Sequence, residues 1–531
     1  LNRPPLAQSL HPGPTASVAP LLVSWACATA LSLTRAPIQD ATAILKRFGA
    51  VALLFLGAAL WQTGIPPGAE TLALGMSLLA ILACAIRFSG SGRADARLVA
   101  RAWLLAGLAS ALMGWLQYTG MGSSLAPWVS HANFGEAFGN LRQRNLYASL
   151  TSIALCALLW LARNDAWFHR PVRVILPAAL LAAGNALSHS RTGLFELLLI
   201  LGLAGIWGLH RERAARWALA PVVPAYLIAA VGLQMLFTAG THPGTFTRLS
   251  EGAPTCSSRM TLWSNVLELI GQKPWFGWGW GRLDYAHYMH LYEGVRFCDI
   301  LDNAHNLPLH LAVELGAPMA LILCGAALWA TWRSRPWRES DPLRQLAWTV
   351  LAVLALHSLL EYPLWYGPFQ MALGICLGLL WPARRANAGR PFVAVALAAP
   401  LMAGVALGAL DYHRALQIYL APDERAAAYR DQTLEKVRAV WIFRDQVRFA
   451  ELTTTPLERG NAKWTHAMAT SLLTFSPEPR VIEKAIESAV MLGRDDEALQ
   501  QLVRFRAAFP KDHAEWAAPL HGQPSRSEPE N

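Results

Sequence analysis

Repeated apolar stretches, each near twenty residues and set apart by short polar breaks, constrain this chain more than any single motif. About 20 consecutive apolar residues in a helix cross a bilayer core. A crossing segment must also satisfy its own backbone, which a helix does internally. Stretches of this kind lie near 17–34, 49–63, 71–87, 98–118, 146–163, 171–187, 193–210, 216–237, 306–332, 344–360, 366–382 and 391–412. The pattern predicts an all-α polytopic integral membrane protein with about 12 transmembrane helices. Composition agrees. Charged residues make up 15% of the chain, against about 25% in an ordinary soluble domain. The 22 Trp suit extensive water–lipid boundaries.

Lys and Arg set the orientation, because cytoplasmic loops retain them. They cluster in alternate loops, at Lys46/Arg47, Arg87/Arg93/Arg97, Arg163/Arg170/Arg173, Arg211/Arg213/Arg216, Arg333/Arg335/Arg338 and Arg384/Arg385/Arg390. This pattern also accounts for the net charge of +10 without nucleic acid, for which no module is present. The remaining loops, 64–70, 119–145, 188–192, 238–305 and 361–365, are then expected to face outward, as is the segment after 412. An even number of spans puts the N-terminus outside as well. The alternative is a missing first helix, since the chain begins at Leu1 and not at Met.

The expected organisation is an N-terminal tail (1–16), eight spans (17–237), a long outward loop (238–305), four spans (306–412), a soluble helical domain (413–520) and a disordered tail (521–531). The run Ala485–Pro510 reads as one tetratricopeptide-like helical hairpin. Of the seven cysteines, only Cys256 and Cys298 lie outside apolar runs, and both fall in the long loop. A disulfide between them is expected in an oxidising compartment. No CxxC occurs, which argues against a Cys-based zinc or redox site.

Five polar groups fall on the outward side by the charge rule. They are Asn140–Asn145 (NLRQRN), Ser188–Gly193 (SHSRTG), Arg259 with the downstream run PWFGWGWG, the pair His305–Asn306 where a loop enters an apolar helix, and His357–Tyr366 (HSLLEYPLWY). Polar side chains near membrane depth are costly and usually face a cavity or a partner. Two arginines, a histidine, amides and a tyrosine suit an anion site with a base beside it. Each has a plainer alternative: helix capping for Gln143, Asn145 and His305, snorkelling for Arg191 and Arg259, a structural hydrogen bond for Glu361 and Tyr362, and an interfacial turn for the Gly-Trp run.

The segments FGNLRQRNLYAS, LSHSRTG, SRMTLW with PWFGWGWG, AHNLPLHLAVELGAP and HSLLEYPLWY, in this order, resemble the O-antigen ligase and polymerase superfamily. With the C-terminal helical segment, the chain is most similar to the bacterial protein O-oligosaccharyltransferases, the pilin glycosylation ligases. It departs from them at the N-terminus, one helix short, and in carrying RQRN where members often have QPN. The resemblance implies a GT-C-like membrane fold in the bacterial inner membrane, with its site on the periplasmic side. It implies transfer of a preassembled glycan from an undecaprenyl-diphosphate carrier to an acceptor protein such as pilin, with no cofactor and no metal. Carried onto this sequence, His305 is the base, Arg191 and Arg259 hold the diphosphate, and Gln143, Asn145, Asn306, Glu361 and Tyr362 line the substrate site. Ligation to lipid A core, polysaccharide polymerisation and transport remain as alternatives.

Overall fold

The computed structural model describes residues 18–33, 48–63, 68–233, 235–236, 255–381 and 391–518. The expected tails, the first part of the long loop and the basic clusters Lys46/Arg47 and Arg384/Arg385/Arg390 lie outside the described residues. Among the described residues the fold is helical, without strands. The apolar helices are α1 (Val18–Leu33), α2 (Ala50–Thr63), α3 (Ala69–Phe88), α4 (Arg93–Tyr118), α5 (Arg144–Asn164), α6 (Val172–Leu187), α7 (Arg191–Ile206) and α8 (Arg213–Leu233). Among the described residues, five helices are long and apolar enough to cross a membrane: α3, α4, α5, α8 and Ala396–Tyr419. Shorter apolar helices include Pro20–Leu31, Ala50–Gln62, Val172–Leu187 and Gly367–Leu380.

Helix α5 is the hub. It packs on α4, α6 and α7 and on a later helix, Pro342–Ser358. Its most apolar window is 89% buried, as expected of a helix enclosed by neighbours on several sides. Close approach of neighbouring helices depends on small residues. A Cβ on Gly107 would strike Ala154 of α5, and Cβ atoms on Gly374 and Gly378 would strike the backbone of Ile81 and Ala85 on α3.

The end of α5 at Asn164 carries one set of polar ties. Arg163 bonds Glu212 at 2.6 Å and Gln345 at 2.9 Å, and Arg101 bonds Asp165 at 2.7 Å. The other end, at Asn145, lies about 30 Å away by helical rise. It carries the groups described in the next subsection.

The long loop folds as a unit of its own. Helix α9 (Arg259–Gln272) and helix α10 (Leu283–Met289) enclose a core of Leu262, Val266, Leu269, Leu283, Phe297 and Leu301. Asn265 accepts from the Phe297 amide at 2.7 Å and donates to Val295 O at 3.1 Å. Cys256 and Cys298 form a disulfide spanning 42 residues, with Cα atoms 5.3 Å apart.

The expected continuous helix over 306–332 is two helices, α11 (Leu307–Leu315) and α12 (Ala317–Ser334). The break is Gly316, at φ +91°, a conformation that favours glycine. A Cβ there would strike the Trp275 carbonyl. The Gly-Trp run is stitched across this break. Trp278 N donates to Val313 O at 2.8 Å, Gly279 N to Glu314 O at 3.0 Å, and Ala317 N to Pro274 O at 2.8 Å. Trp275 and Phe276 remain exposed, as interfacial residues do.

The chain continues through α13 (Pro342–Ser358), α14 (Gly367–Leu380) and α15 (Pro391–Leu416). After a short helix at Thr433–Val437 come five more, α16 (Arg444–Thr454), α17 (Ala462–Leu472), α18 (Pro479–Met491), α19 (Asp495–Ala508) and α20 (Pro510–Ala517), each packed on the next. This unit is joined to the long loop. Tyr288 sits in its apolar core and donates from its hydroxyl to Gln501 at 2.7 Å, and Arg504 donates to Met289 O at 3.2 Å.

Candidate active site

Three connections meet at the Asn145 end of α5. The α13–α14 connection supplies Glu361 and Tyr362. The approach to α11 supplies His305, and the start of α9 supplies Arg259.

His305 has φ +48°, a left-handed backbone costing about 1–3 kcal/mol for a residue with a side chain. Its amide is held by Asn303 Oδ1 at 2.8 Å, an Asx turn that offsets part of that cost. The imidazole Nδ1 lies 2.6 Å from Glu361 Oε2. A carboxylate at Nδ1 accepts its proton and leaves the Nε2 lone pair free to accept another. The Tyr362 ring packs edge-on against the imidazole, with centroids 4.9 Å apart.

The other Glu361 oxygen, Oε1, pairs with Arg259 Nη2 and accepts from Asn145 Nδ2 at 3.0 Å. Asn145 is fixed from behind, since Ser190 Oγ donates to its Oδ1 at 2.6 Å. Glu361 is 6% exposed, so the carboxylate is buried and paired on both oxygens. Burial works to raise its carboxyl. The His305 hydrogen bond and the Arg259 charge outweigh burial and hold it below the usual carboxylate range. For Arg259, burial lowers the guanidinium, Glu361 and Tyr362 counter that, and the Arg191 charge lowers it further. Burial pushes the Tyr362 phenol up.

Arg191 is the first residue of α7, with Ser190 as N-cap. It is exposed and makes no ion pair with any carboxylate among the described residues. Gln143 and Asn306 serve as helix caps. Gln143 Oε1 accepts from Leu146 N at 2.7 Å, and Asn306 Oδ1 accepts from Leu309 N at 3.1 Å. Asn306 also donates to Leu359 O at 3.1 Å, tying α11 to the turn that carries Glu361. The structure thus brings His305, Arg259, Glu361, Tyr362 and Asn145 together, sets the Arg191 charge beside them, and keeps Gln143 and Asn306 at the helix starts. Ser190 and Asn303 complete the set. Both are polar residues within or next to the quoted motifs, the only cue the sequence offered. Among the described residues no three His, Cys, Asp or Glu side chains are grouped to hold a metal ion.

The O-Antigen ligase family profile matches residues 176–324, which hold Arg191, Arg259 and His305. The Protein glycosylation ligase profile matches 137–162, which hold Gln143 and Asn145. Over these segments the chain is similar to the O-antigen ligase and polymerase superfamily. A third profile, described as the C-terminal part of a virulence factor membrane-bound polymerase, matches 345–521. Two relatives from Acinetobacter baylyi are similar to it. A general O-oligosaccharyltransferase is 26% identical over 296 residues, 51% of this chain and 48% of the relative. A ComP-specific O-oligosaccharyltransferase is 27% identical over 248 residues, 46% of this chain and 44% of the relative. The matched region spans about half the length of each relative. The apolar helices of the chain make it a multi-pass membrane protein.

Proposed function

We propose that this protein transfers a preassembled glycan from an undecaprenyl-diphosphate carrier to serine or threonine hydroxyls of periplasmic proteins such as pilin. The reading places about 12 spans in the bacterial inner membrane and the site at the periplasmic face. The observation that carries it is Glu361, a buried carboxylate that holds a histidine on one oxygen and an arginine on the other. In the proposed reaction the acceptor oxygen attacks the anomeric carbon, the bond from that carbon to the phosphate oxygen breaks, and the hydroxyl proton passes to His305 Nε2. Arg191 and Arg259 stabilise the charge that develops on the diphosphate, the main electrostatic demand of the step. Gln143, Asn306 and Tyr362 shape the mouth of the site.

The helical unit is tied at Tyr288 to the loop that carries Arg259, which favours a protein acceptor. The polymerase profile over 345–521 favours a second reading, chain extension of a polysaccharide from the same donor. The test is co-expression with a lipid-linked glycan pathway and a candidate pilin, followed by mass spectrometry of the pilin and sizing of the polysaccharide. The expected result is a pilin heavier by one glycan, and unmodified pilin with His305→Ala. Lengthened polysaccharide with unmodified pilin would move the protein to the second reading.

A further inference from the structure

One turn deeper than Asn145 and Glu361, the same helices make a second set of contacts. Asn145 and Ser149 are four residues apart on α5, so they lie on one face. His357 and Glu361 are also four apart, and the Glu361 amide donates to the His357 carbonyl at 2.8 Å. The upper row runs from Ser190 to Asn145 to Glu361. The lower row runs from Glu196 of α7 to Ser149 to His357. Ser149 Oγ bonds Glu196 Oε1, and it lies 2.6 Å from His357 Nδ1. His357 Nδ1 is 3.7 Å from the same carboxylate oxygen. With Ser149 donating to Glu196, its oxygen accepts from His357 Nδ1–H. Ser149, Glu196 and His357 are each 0% exposed.

The lower row does not reach the site surface, so none of its members can touch a substrate. Buried polar groups at membrane depth are expensive, and are usually retained for function. Half-satisfied networks cost more than apolar packing. We propose that Ser149, Glu196 and His357 are positioning residues that fix the last turn of α13 against α5 and α7. They thereby set where Glu361 presents its two oxygens to His305 and Arg259. A local error of about 1 Å at a reacting group can cost ~100-fold in rate, and Glu361 is held to α5 by one amide alone in the upper row.

This inference rests on the glycan-transfer reading, and its test separates the two. Full-length protein with Ser149→Ala is assayed for glycan transfer, with kcat and the acceptor KM measured alongside the thermal midpoint. The expected loss is about 10- to 100-fold in kcat with KM unchanged, and Ser149→Thr, which keeps the hydroxyl, recovers most of it. Combined with Asn145→Ala, Ser149→Ala should add little, because both act through Glu361. A purely structural role predicts multiplying losses that follow the thermal midpoint. That result, or wild-type kcat in Ser149→Ala, overturns the proposal. If Ser149→Ala does not accumulate, His357→Gln replaces it, with the same expectation and the same overturning results. If His305→Ala keeps full transfer, the function reading itself fails. If His305→Ala abolishes transfer while Ser149→Ala is silent, only the positioning layer fails.

Discussion

His305 Nδ1 lies 2.6 Å from Glu361 Oε2, and the other oxygen of that carboxylate is taken by Arg259. One buried group therefore sets both the tautomer of His305 and the place of a cation. Glu361→Gln keeps the shape but loses the charge that holds Nδ1–H, as a misplaced tautomer does in hydrolases with a carboxylate-oriented histidine. The expected outcome is a fall in transfer of roughly 10²-fold, with His305→Ala falling 10²–10⁴-fold, the usual range for a general base. Both variants are measured at matched membrane levels by mass spectrometry of the acceptor. Full transfer by either would remove the base assignment.

The two arginines differ in surroundings, and so in what lysine does to them. Arg259 donates from Nη2 to Glu361, and its side chain is part-buried. An ammonium cannot bridge in the same way. Arg259→Lys is expected to lose about tenfold or more of kcat/KM. Arg191 is exposed and forms no ion pair among the described residues. If it only met headgroups, Lys would replace it freely. The expectation is a comparable loss in Arg191→Lys, from bidentate contact with phosphate. Wild-type kinetics in Arg191→Lys would return it to a snorkelling role.

Much of the site was legible because its residues break strong patterns. Arg191, His305 and Glu361 stand out against apolar helices, and Cys256 and Cys298 against the other cysteines. Two things were not legible. The break at Gly316 is masked by the apolar residues on either side, although Glu314, Gly316 and Pro318 interrupt the run 306–332. What ends the helix is a remote contact, the Trp275 carbonyl lying where a side chain would be. The orienting role of Glu361 was hidden for the same reason, because its partners come from residues 145, 259 and 305. Glu196, a lone carboxylate inside an apolar run, was a readable signal of a buried network.

The loop that carries Arg259 and leads to His305 is closed by Cys256–Cys298 across 42 residues. By chain entropy such a closure is worth about 3–4 kcal/mol. Cys298→Ser, or reduction of the wild type, should lower the midpoint of the loop unit and raise its protease sensitivity, while the apolar helices keep their resistance. Limited proteolysis followed by mass spectrometry reads this directly. Equal cleavage of oxidised and reduced protein would show that the core around Leu262 and Val266 holds the loop unaided.

Two carboxyls outside the spans give opposite pH responses. Glu361 is held below its ordinary value of 4.5. Its pairing is fully present above that value and is lost only as pH falls through the lowered one. Glu361 should therefore leave stability flat from neutrality down to pH 4.5. Asp284, at the start of α10, moves the other way. Burial, aided by the Asp302 charge, pushes its carboxyl from 3.8 up to about 8. Between those values the folded chain keeps a proton that the unfolded chain has released, so stability falls as pH rises. Asp284→Asn removes this dependence. The gap in thermal midpoint between Asp284→Asn and wild type should widen from pH 5 to about 8 and then level off, which scanning calorimetry in detergent at four pH values would show. Parallel pH curves for the two proteins would mean that Asp284 ionises normally in the folded state.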